Sequence, residues 1–372
     1  MSVTVFENPA QIERFSPVPE EELIRALSEA FGPTGCEAPV REVILSYVRP
    51  LADSILRDSM GNLICLCRFG EGEDRQRVMI SAHMDEVGMM VTEITEEGYC
   101  RFDTVGGIML AVMEGRKVTL GDETKRISGV IASKAIHHKK PKDRKKPTPI
   151  EKLYIDIGAK DREEAEKYVS VGTLATFDSE WYRFGEGGMQ IKGKALDDRL
   201  GCAVMIQAMK ALRETPPEGD VDLYFCFTVR EEIGLSGAKV VANRLKPDVA
   251  IVLECTAVSD LAEVPEHRRV AMQGKGGALS LMDRSTVYDR DVVDFALDTA
   301  EKNGIPVQIK KFVSGGNDAG SIHKSGKGVK TLALSVPTRY LHSPACVANL
   351  NDVRSVTALC EALLRRLSAE RI

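Results

Sequence analysis

The sequence predicts an α/β protein: a mostly parallel sheet flanked by helices, with a β-barrel-like domain inserted. Two observations predict this fold. Near both ends of the chain, short apolar runs alternate with stretches of helical spacing, a pattern typical of parallel strands connected by helices. Between residues 90 and 188, short alternating runs are separated by glycines, as in an all-β module. We therefore expect one α/β domain in two parts, residues 1–89 and 189–372, interrupted by a β domain of residues 90–188.

Individual elements follow from the periodicity of the apolar residues. In the first part, helices are predicted at about 20–31 and 40–51, and strands at about 63–67 and 78–83. In the insertion, strands are predicted within 89–94, 117–120, 129–131, 153–157 and 173–177, with one helical piece at 161–168. In the second part, strands are predicted at 222–229, 250–253 and 329–336, and helices at about 200–212, from 236, at 291–303 and at 352–369.

Composition restricts the class of protein. The chain has 372 residues, of which 43% are hydrophobic and 28% charged, with a formal net charge of -5. No apolar run approaches the roughly 20 residues of a membrane span, and Met1–Pro9 lacks a signal-peptide pattern. Nine cysteines without a Cys-x-x-Cys pair indicate buried thiols in a reducing compartment. We expect a cytoplasmic protein that binds neither nucleic acid nor membrane, and we interpret the basic run His137–Lys146 as a solvated loop, with an anionic partner as the alternative.

The segment Ser81–Gly88 carries the most informative pattern. It begins directly after Val78–Ile80, which reads as a buried strand. Because side chains alternate along a strand, His83 and Asp85 should project from the same side. A histidine and a carboxylate that leave a strand end together are typical of a metal ligand and the group that orients it.

The rest of the chain supplies further candidate ligands. They lie near the carboxyl ends of predicted strands or at the start of a predicted helix: Asp197, Asp198, Glu231, Glu232, Glu254 and His342. The carboxyl ends of parallel strands meet at one edge of a sheet, so we expect these residues to converge. Two divalent ions would be satisfied by a bridging Asp, two His and two more carboxylates. Of the adjacent Glu231 and Glu232, one would bind metal and the other transfer protons, because neighbouring side chains diverge on an extended segment.

Each member of this set also has a simpler interpretation. Asp197 alone would more often be a helix N-cap, and His83 alone a core histidine. Cys255 and Cys346 lie beside candidate ligands, but the His and carboxylate set is sufficient without thiolates. His323 lies in a glycine-rich run and could line the site. The combination is more specific than any member, and the motifs of other common hydrolases and nucleotide-binding proteins are absent.

Six segments in family order resemble the TET-type di-zinc aminopeptidases, which include glutamyl and deblocking aminopeptidases and members labelled cellulase M. The matching segments are Ser81–Gly88, Lys194–Gly201, Arg230–Ala238, Val252–Thr256, Gly315–Gly320 and Arg339–Pro344. The resemblance implies a zinc-exopeptidase-like sheet, an inserted β domain that forms dimers, and assembly of those dimers into a hollow homododecamer. It also implies two divalent ions per chain, zinc first, with cobalt or manganese as alternatives.

The resemblance also implies a role for each site residue. His83 would bind one ion, Asp197 would bridge both, Glu232 and Glu254 would be terminal ligands, and His342 would complete the set. Glu231 would be the general base, and Asp85 would orient His83. The chain departs from the family at Glu254, where Asp is frequent, at Asp198, where Asn is common, at Asn317, where Thr is common, and at Cys255, where a small residue is usual. None of these departures removes a ligand.

We therefore expect a metal-dependent aminopeptidase that trims short peptides by means of an activated water. Two alternatives stay open. A glycosidase with a carboxylate pair would need two acids and no metal, which leaves the histidines unexplained. A catalytically idle assembly protein that keeps metal for structure would not need Glu231.

Overall fold

The computed structural model describes residue 19, residues 21–313 and residues 315–372; the segment Met1–Pro9 lies outside these ranges. The strands in chain order are β1 Ser54–Arg57, β2 Leu63–Phe69, β3 Gln76–His83, β4 Gly88–Ile94, β5 Cys100–Val105, β6 Lys117–Gly121, β7 Arg126–Ala132, β8 Tyr154–Asp156, β9 Leu174–Phe177, β10 Tyr182–Phe184, β11 Gln190–Gly193, β12 Val221–Thr228, β13 Val249–Ala257, β14 Gly277–Leu279, β15 Val307–Ile309, β16 Lys330–Arg339 and β17 Cys346–Asn349. The helices are α1 Glu21–Glu29, α2 Ala38–Val48, α3 Arg162–Ala165, α4 Leu196–Glu214, α5 Ser236–Leu245, α6 Arg290–Lys302, α7 Ala319–Ile322 and α8 Leu350–Ala369.

Four parallel strands form the centre of a large sheet and decide where the candidate site lies. Their order across the sheet is β12, β3, β13 and β16. Antiparallel strands extend the sheet on both sides, β2 and β1 beyond β12, and β17, β11 and β10 beyond β16. The predicted fold class is confirmed: the centre of a mixed sheet is parallel, and β14 and β15 form one further parallel pair outside it.

The central strands are apolar because both faces of the sheet are covered. Residues 78–80 and 249–253 are buried, as expected for strands packed between two helical layers. The long helix α4 packs against β3 and β13, and α8 packs against α4 and β16. One continuous hydrophobic core therefore joins the two sequence-separated parts of the α/β domain.

The inserted segment forms a closed barrel with its own core. The strands close in the order β4, β5, β8, β7, β6 and β9. Alternate side chains point inward, including Met89, Val91, Val118 and Leu120, all of which are buried. No helix in the described part of the chain has the length and apolarity that crossing a bilayer requires.

A buried charge network joins the barrel to the α/β domain. Glu86 Oε1 accepts hydrogen bonds from Lys194 Nζ at 2.6 Å and from an Arg199 guanidinium nitrogen at 3.4 Å, and Glu86 Oε2 accepts one from Thr176 Oγ1 of β9 at 2.6 Å. Arg199 also donates to the carbonyls of Met84 and Leu27. Because these groups are buried, the network fixes the turn that follows β3 relative to α1, α4 and the barrel.

Replacing Glu86 with Gln should destabilise the protein strongly. The change leaves Lys194 and Arg199 buried without their carboxylate, and loss of one partner from a buried pair costs about 3–5 kcal/mol. Glu29→Gln is the matched control, because Glu29 pairs with Arg25 on the surface and exposed pairs contribute about 1 kcal/mol or less. Denaturant unfolding at fixed protein concentration measures both. Equal losses in the two variants would contradict the central role of this network.

Candidate metal centre

The candidate ligands converge at the carboxyl edge of the central parallel strands. His83 is the last residue of β3, Glu254 lies three residues before the end of β13, and His342 follows the end of β16 by three residues. Glu231 and Glu232 lie in the loop between β12 and α5. The edge predicted from the sequence is therefore where these side chains meet.

Two groups of side chains share Asp197. On one side, His83 Nε2 lies 3.4 Å from Asp197 Oδ1 and 3.5 Å from Glu254 Oε1. On the other side, His342 Nε2 lies 3.5 Å from Asp197 Oδ2 and 3.4 Å from Glu232 Oε2. The two oxygens of one carboxylate thus face two different His–Glu pairs.

Asp85 links the end of β3 to the loop that carries the two glutamates. Its Oδ1 accepts a hydrogen bond from the backbone N–H of Glu231 at 3.1 Å, and its Oδ2 accepts from the N–H of Glu232 at 3.2 Å and from Thr34 Oγ1 at 2.8 Å. Asp85 Oδ1 also lies 3.6 Å from His83 Nδ1. One buried carboxylate therefore contacts the imidazole and holds the backbone that carries both glutamates.

Several segments around the site have backbone conformations that residues other than glycine rarely adopt. Ala195, Arg230 and His342 have φ angles of 54°, 58° and 56°, in the left-handed region that costs roughly 1–2 kcal/mol. Asp197 and Asp198 have non-helical ψ angles of 109° and 44°, so the regular turns of α4 begin after them. The strain is concentrated beside the candidate ligands, as is common at functional sites.

The acidic side chains of this pocket titrate abnormally. Burial raises the pKa of Glu231, Glu254 and Asp198 well above the usual range, and it raises that of Glu232 to about 7. Asp197 behaves differently: burial acts to raise its pKa, but the neighbouring His342 and His83 hold it well below the usual range. Burial, and then the neighbouring carboxylates, favour the protonated form of the groups whose pKa is raised.

The pKa values of the two histidines are also raised. Burial acts to lower their pKa values, but the surrounding carboxylates outweigh it, so the pKa of His83 is raised well above normal and that of His342 to about 9. Each ring has an acceptor at Nδ1: the Asp85 carbonyl oxygen lies 3.0 Å from that of His83, and the Gly107 carbonyl oxygen 2.8 Å from that of His342. In the neutral rings Nδ1 therefore keeps the proton, and Nε2 presents a lone pair next to Asp197.

The residues present fit divalent metal ions. Oδ1 of Asp197 and Oδ2 of Asp198 are buried and receive no hydrogen bond from any residue that the structure describes. His83, Asp197 and Glu232 offer ligand atoms that all lie within 4.8 Å of one another. Imidazole nitrogen and carboxylate oxygen suit zinc, cobalt and manganese, so the pocket could hold such a cation.

Sequence reasoning missed one acidic residue of this pocket. Asp318 is buried, its Oδ2 accepts a hydrogen bond from Thr228 Oγ1 at 2.7 Å, and its Oδ1 has no donor among the described residues. Burial raises its pKa to about 6. The signal that could have identified Asp318 is its position inside Gly315–Gly320, one of the six segments that resemble the family.

Two residues considered beside the site make other contacts. Nδ1 of His323 lies 2.7 Å from the Ala319 carbonyl oxygen within the short helix α7. The Cys255 thiol donates to the Leu196 carbonyl at 3.2 Å, and its sulfur also lies within 4.8 Å of carboxylate oxygens of Asp197 and Asp198. All nine cysteines are free and buried. The roles of the candidate ligands themselves stay predictions.

An α/β sheet with histidines and carboxylates gathered at its carboxyl edge defines the class of metal-dependent hydrolases. The chain belongs to the M42 glutamyl aminopeptidase family, whose model matches residues 61–359. It is 31% identical to the lysyl aminopeptidase of Pyrococcus furiosus over 352 residues, covering 93% of this chain and 97% of that protein. The family resemblance found in the sequence is confirmed, and the protein is a peptide hydrolase of the aminopeptidase type.

Solved structures agree with this assignment. The TET aminopeptidase of the marine sediment archaeon Thaumarchaeota archaeon SCGC AB-539-E09 has a TM-score of 0.89 at 35% identity, covering 93% of this chain and 96% of that one. The TET1 peptidase of Pyrococcus horikoshii, which can assemble into a tetrahedron or a large octahedral shell, has a TM-score of 0.80 at 36% identity, covering 92% and 98%.

Metal binding at this site should release protons and weaken at low pH. His342 has a pKa of about 9 in the metal-free chain, so at neutral pH its ring is protonated and must lose that proton to become a ligand. Affinity for zinc should therefore increase as the pH rises toward 9. We expect roughly one or more protons released per chain at pH 7, measured by calorimetry in buffers of different ionisation enthalpy. His342→Gln should reduce the release, whereas His267→Gln on the surface should not; binding without proton release would contradict the assignment.

Proposed function

We propose that the protein is a cytoplasmic aminopeptidase that removes N-terminal residues from short peptides with the help of two divalent ions per chain, zinc first, with cobalt or manganese as alternatives. The observation that carries the proposal is the position of Asp197, one oxygen of which faces His83 and Glu254 while the other faces His342 and Glu232. Nine free, buried cysteines support a reducing compartment.

The residues that would hold the ions are the two His–Glu pairs with Asp197 as the shared ligand. Bound there, divalent ions would polarise a peptide carbonyl and make a water molecule a stronger nucleophile. Asp85 would keep Nδ1 of His83 protonated, so that Nε2 remains available. The free α-amino group of a substrate would bind near one ion and the acidic side chains.

Glu231 is the residue best suited to move protons. Its backbone is held by Asp85, and burial raises its pKa toward the range in which a carboxyl group can both accept and donate. A carboxylate oxygen of Glu231 would accept a proton from the attacking water and deliver it to the nitrogen of the leaving amine. The family membership supports peptide hydrolysis over the glycosidase alternative, and an active Glu231 distinguishes an enzyme from an idle assembly protein.

The barrel would serve assembly. Residues 90–188 contain none of the proposed ligands, and exposed apolar side chains on this segment include Met90, Val130, Tyr168 and Val171. Such side chains suit an interface between copies of the chain. We propose that this segment forms a dimer, and that dimers build a closed particle of the kind formed by the Pyrococcus horikoshii relative.

Glu231→Gln tests the catalytic role. The isosteric amide cannot take up a proton, so kcat for an aminoacyl-p-nitroanilide should fall by roughly 10²–10⁴ while the bound metal stays. Asp197→Ala should instead lose both ions or nearly both, because it removes the shared ligand. Elemental analysis and turnover on the same samples separate the two effects. Normal turnover of metal-replete Glu231→Gln protein, or full metal content in Asp197→Ala protein, would contradict the proposal.

Light scattering tests the assembly. The expected mass is about twelve times the 40.8 kDa of one chain. A closed particle admits short or unfolded chains only, so a folded protein with an exposed N-terminus should be spared when a peptide with the same first residues is trimmed. A fully active protein that stays monomeric at working concentration would defeat this part of the proposal.

A further inference from the structure

A loop on the barrel concentrates positive charge in a chain that is otherwise acidic. Residues 133–152 contain eight Lys and Arg against two Asp and Glu, a formal charge of +6, whereas the whole chain carries -5. The remainder of the chain therefore carries -11. Charge segregated to this degree produces a local field that attracts groups of opposite sign.

The loop borders an open cavity of about 560 Å³, a size typical of ligand pockets. Six lysines line it: Lys134, Lys139, Lys140, Lys142, Lys146 and Lys152. Five of the six are exposed, while Lys139 is only partly accessible. Among the described acidic residues, Glu114 is the one that pairs with a lysine of this cavity.

Glu114 shows which chemical group the cavity accepts. Its two carboxylate oxygens lie 2.8 and 3.2 Å from Lys139 Nζ, and Thr148 Oγ1 donates to it at 2.7 Å. Ser133 donates a further hydrogen bond. Although burial acts to raise its pKa, these donors lower the pKa of Glu114 to about 2. A carboxylate is thus already bound and held ionised at the edge of the cavity, and the other five lysines form no ion pair with an acidic side chain that the structure describes.

The cavity lies within reach of a peptide bound at the candidate metal centre. The carbonyl of Gly107 contacts His342, and Glu114 follows seven residues later in the chain. Seven residues span at most about 25 Å, and the turn at Leu110–Val112 shortens that distance. An extended peptide of about eight residues spans the same length.

We propose that this lysine-lined cavity binds acidic side chains near the carboxyl end of peptide substrates, and so favours short peptides with acidic tails. The inference rests on the proposed peptidase function and names the substrate class that the barrel selects. Recognition would be electrostatic: carboxylates would pair with several lysines as Glu114 pairs with Lys139. The selection therefore acts on a part of the substrate remote from the bond that is cut.

Two peptides of eight residues test this, identical except for a tail of three Glu or three Gln. At low ionic strength KM should be about 3–10-fold lower for the Glu tail with unchanged kcat, and the difference should fade with added salt. The triple variant Lys140→Gln, Lys142→Gln, Lys146→Gln should lose the difference. The matched triple Lys239→Gln, Lys275→Gln, Lys327→Gln, whose positions do not line the cavity, should keep it.

An aminoacyl-p-nitroanilide, which has no tail, separates this inference from the proposed function. All variants should hydrolyse it as the wild type does; no hydrolysis by the wild type would refute the peptidase function itself. Hydrolysis with equal KM for the two tails would overturn the inference alone. A tail preference that survives in the Lys140, Lys142 and Lys146 triple variant would also overturn it, because the electric field of the whole protein would then be responsible. Binding of a short oligonucleotide that is lost in the cavity variant, with equal KM for the tails, would assign the cavity to nucleic acid instead.

Discussion

Buried negative charge is the constraint on which the rest of this structure depends. Five acidic residues at the sheet edge are buried: Asp85, Asp197, Asp198, Glu254 and Asp318. An isolated charge in a protein interior costs several kcal/mol, so each carboxylate needs hydrogen bonds, a proton or a cation. Asp85 receives three hydrogen bonds, and Asp197 faces two histidines. Asp198 and Glu254 have raised pKa values. This crowding of carboxylates, which is unfavourable by itself, suits the pocket to cations.

Such a pocket holds its shape only if the surrounding elements cannot move apart. The buried contacts of Arg199 with the Met84 and Leu27 carbonyls tie the turn after β3 to α1 and α4. The barrel also holds these elements in place, because Thr176 donates to Glu86 and the Gly107 carbonyl contacts His342. The position of the inserted segment and the geometry of the candidate ligands are therefore physically coupled, although the segment supplies none of the ligands.

The sequence predicts those parts of the structure that are formed by interactions between residues close together in the chain. The buried strands β3 and β13 are apolar runs, and their carboxyl ends predicted the site. By contrast, all four residues of β1 are exposed, so its sequence shows no alternation of apolar and polar residues. It is a strand because it pairs with β2. Of the other antiparallel strands at the margins, β2 was predicted, whereas β10, β11 and β17, which have only three or four residues each, were not. Gly107 could not be predicted as a contact of His342, because it acts through a backbone carbonyl that every residue has, and Asp318 resembled an ordinary acidic residue in a glycine-rich turn.

Acidic and basic side chains of this chain are concentrated in different places. A peptide carries a positive amino end and a negative carboxyl end, and acidic tails increase that polarity. The sheet edge gathers carboxylates, while the loop at residues 133–152 gathers eight cationic side chains. A peptide near the molecule would therefore be oriented before it makes any specific contact, with its amino end toward the acids and its carboxyl end toward the lysines. Binding in the reverse direction would place like charges together at both ends, which disfavours it. This separation of charge would assist the removal of residues from the amino end that is proposed above.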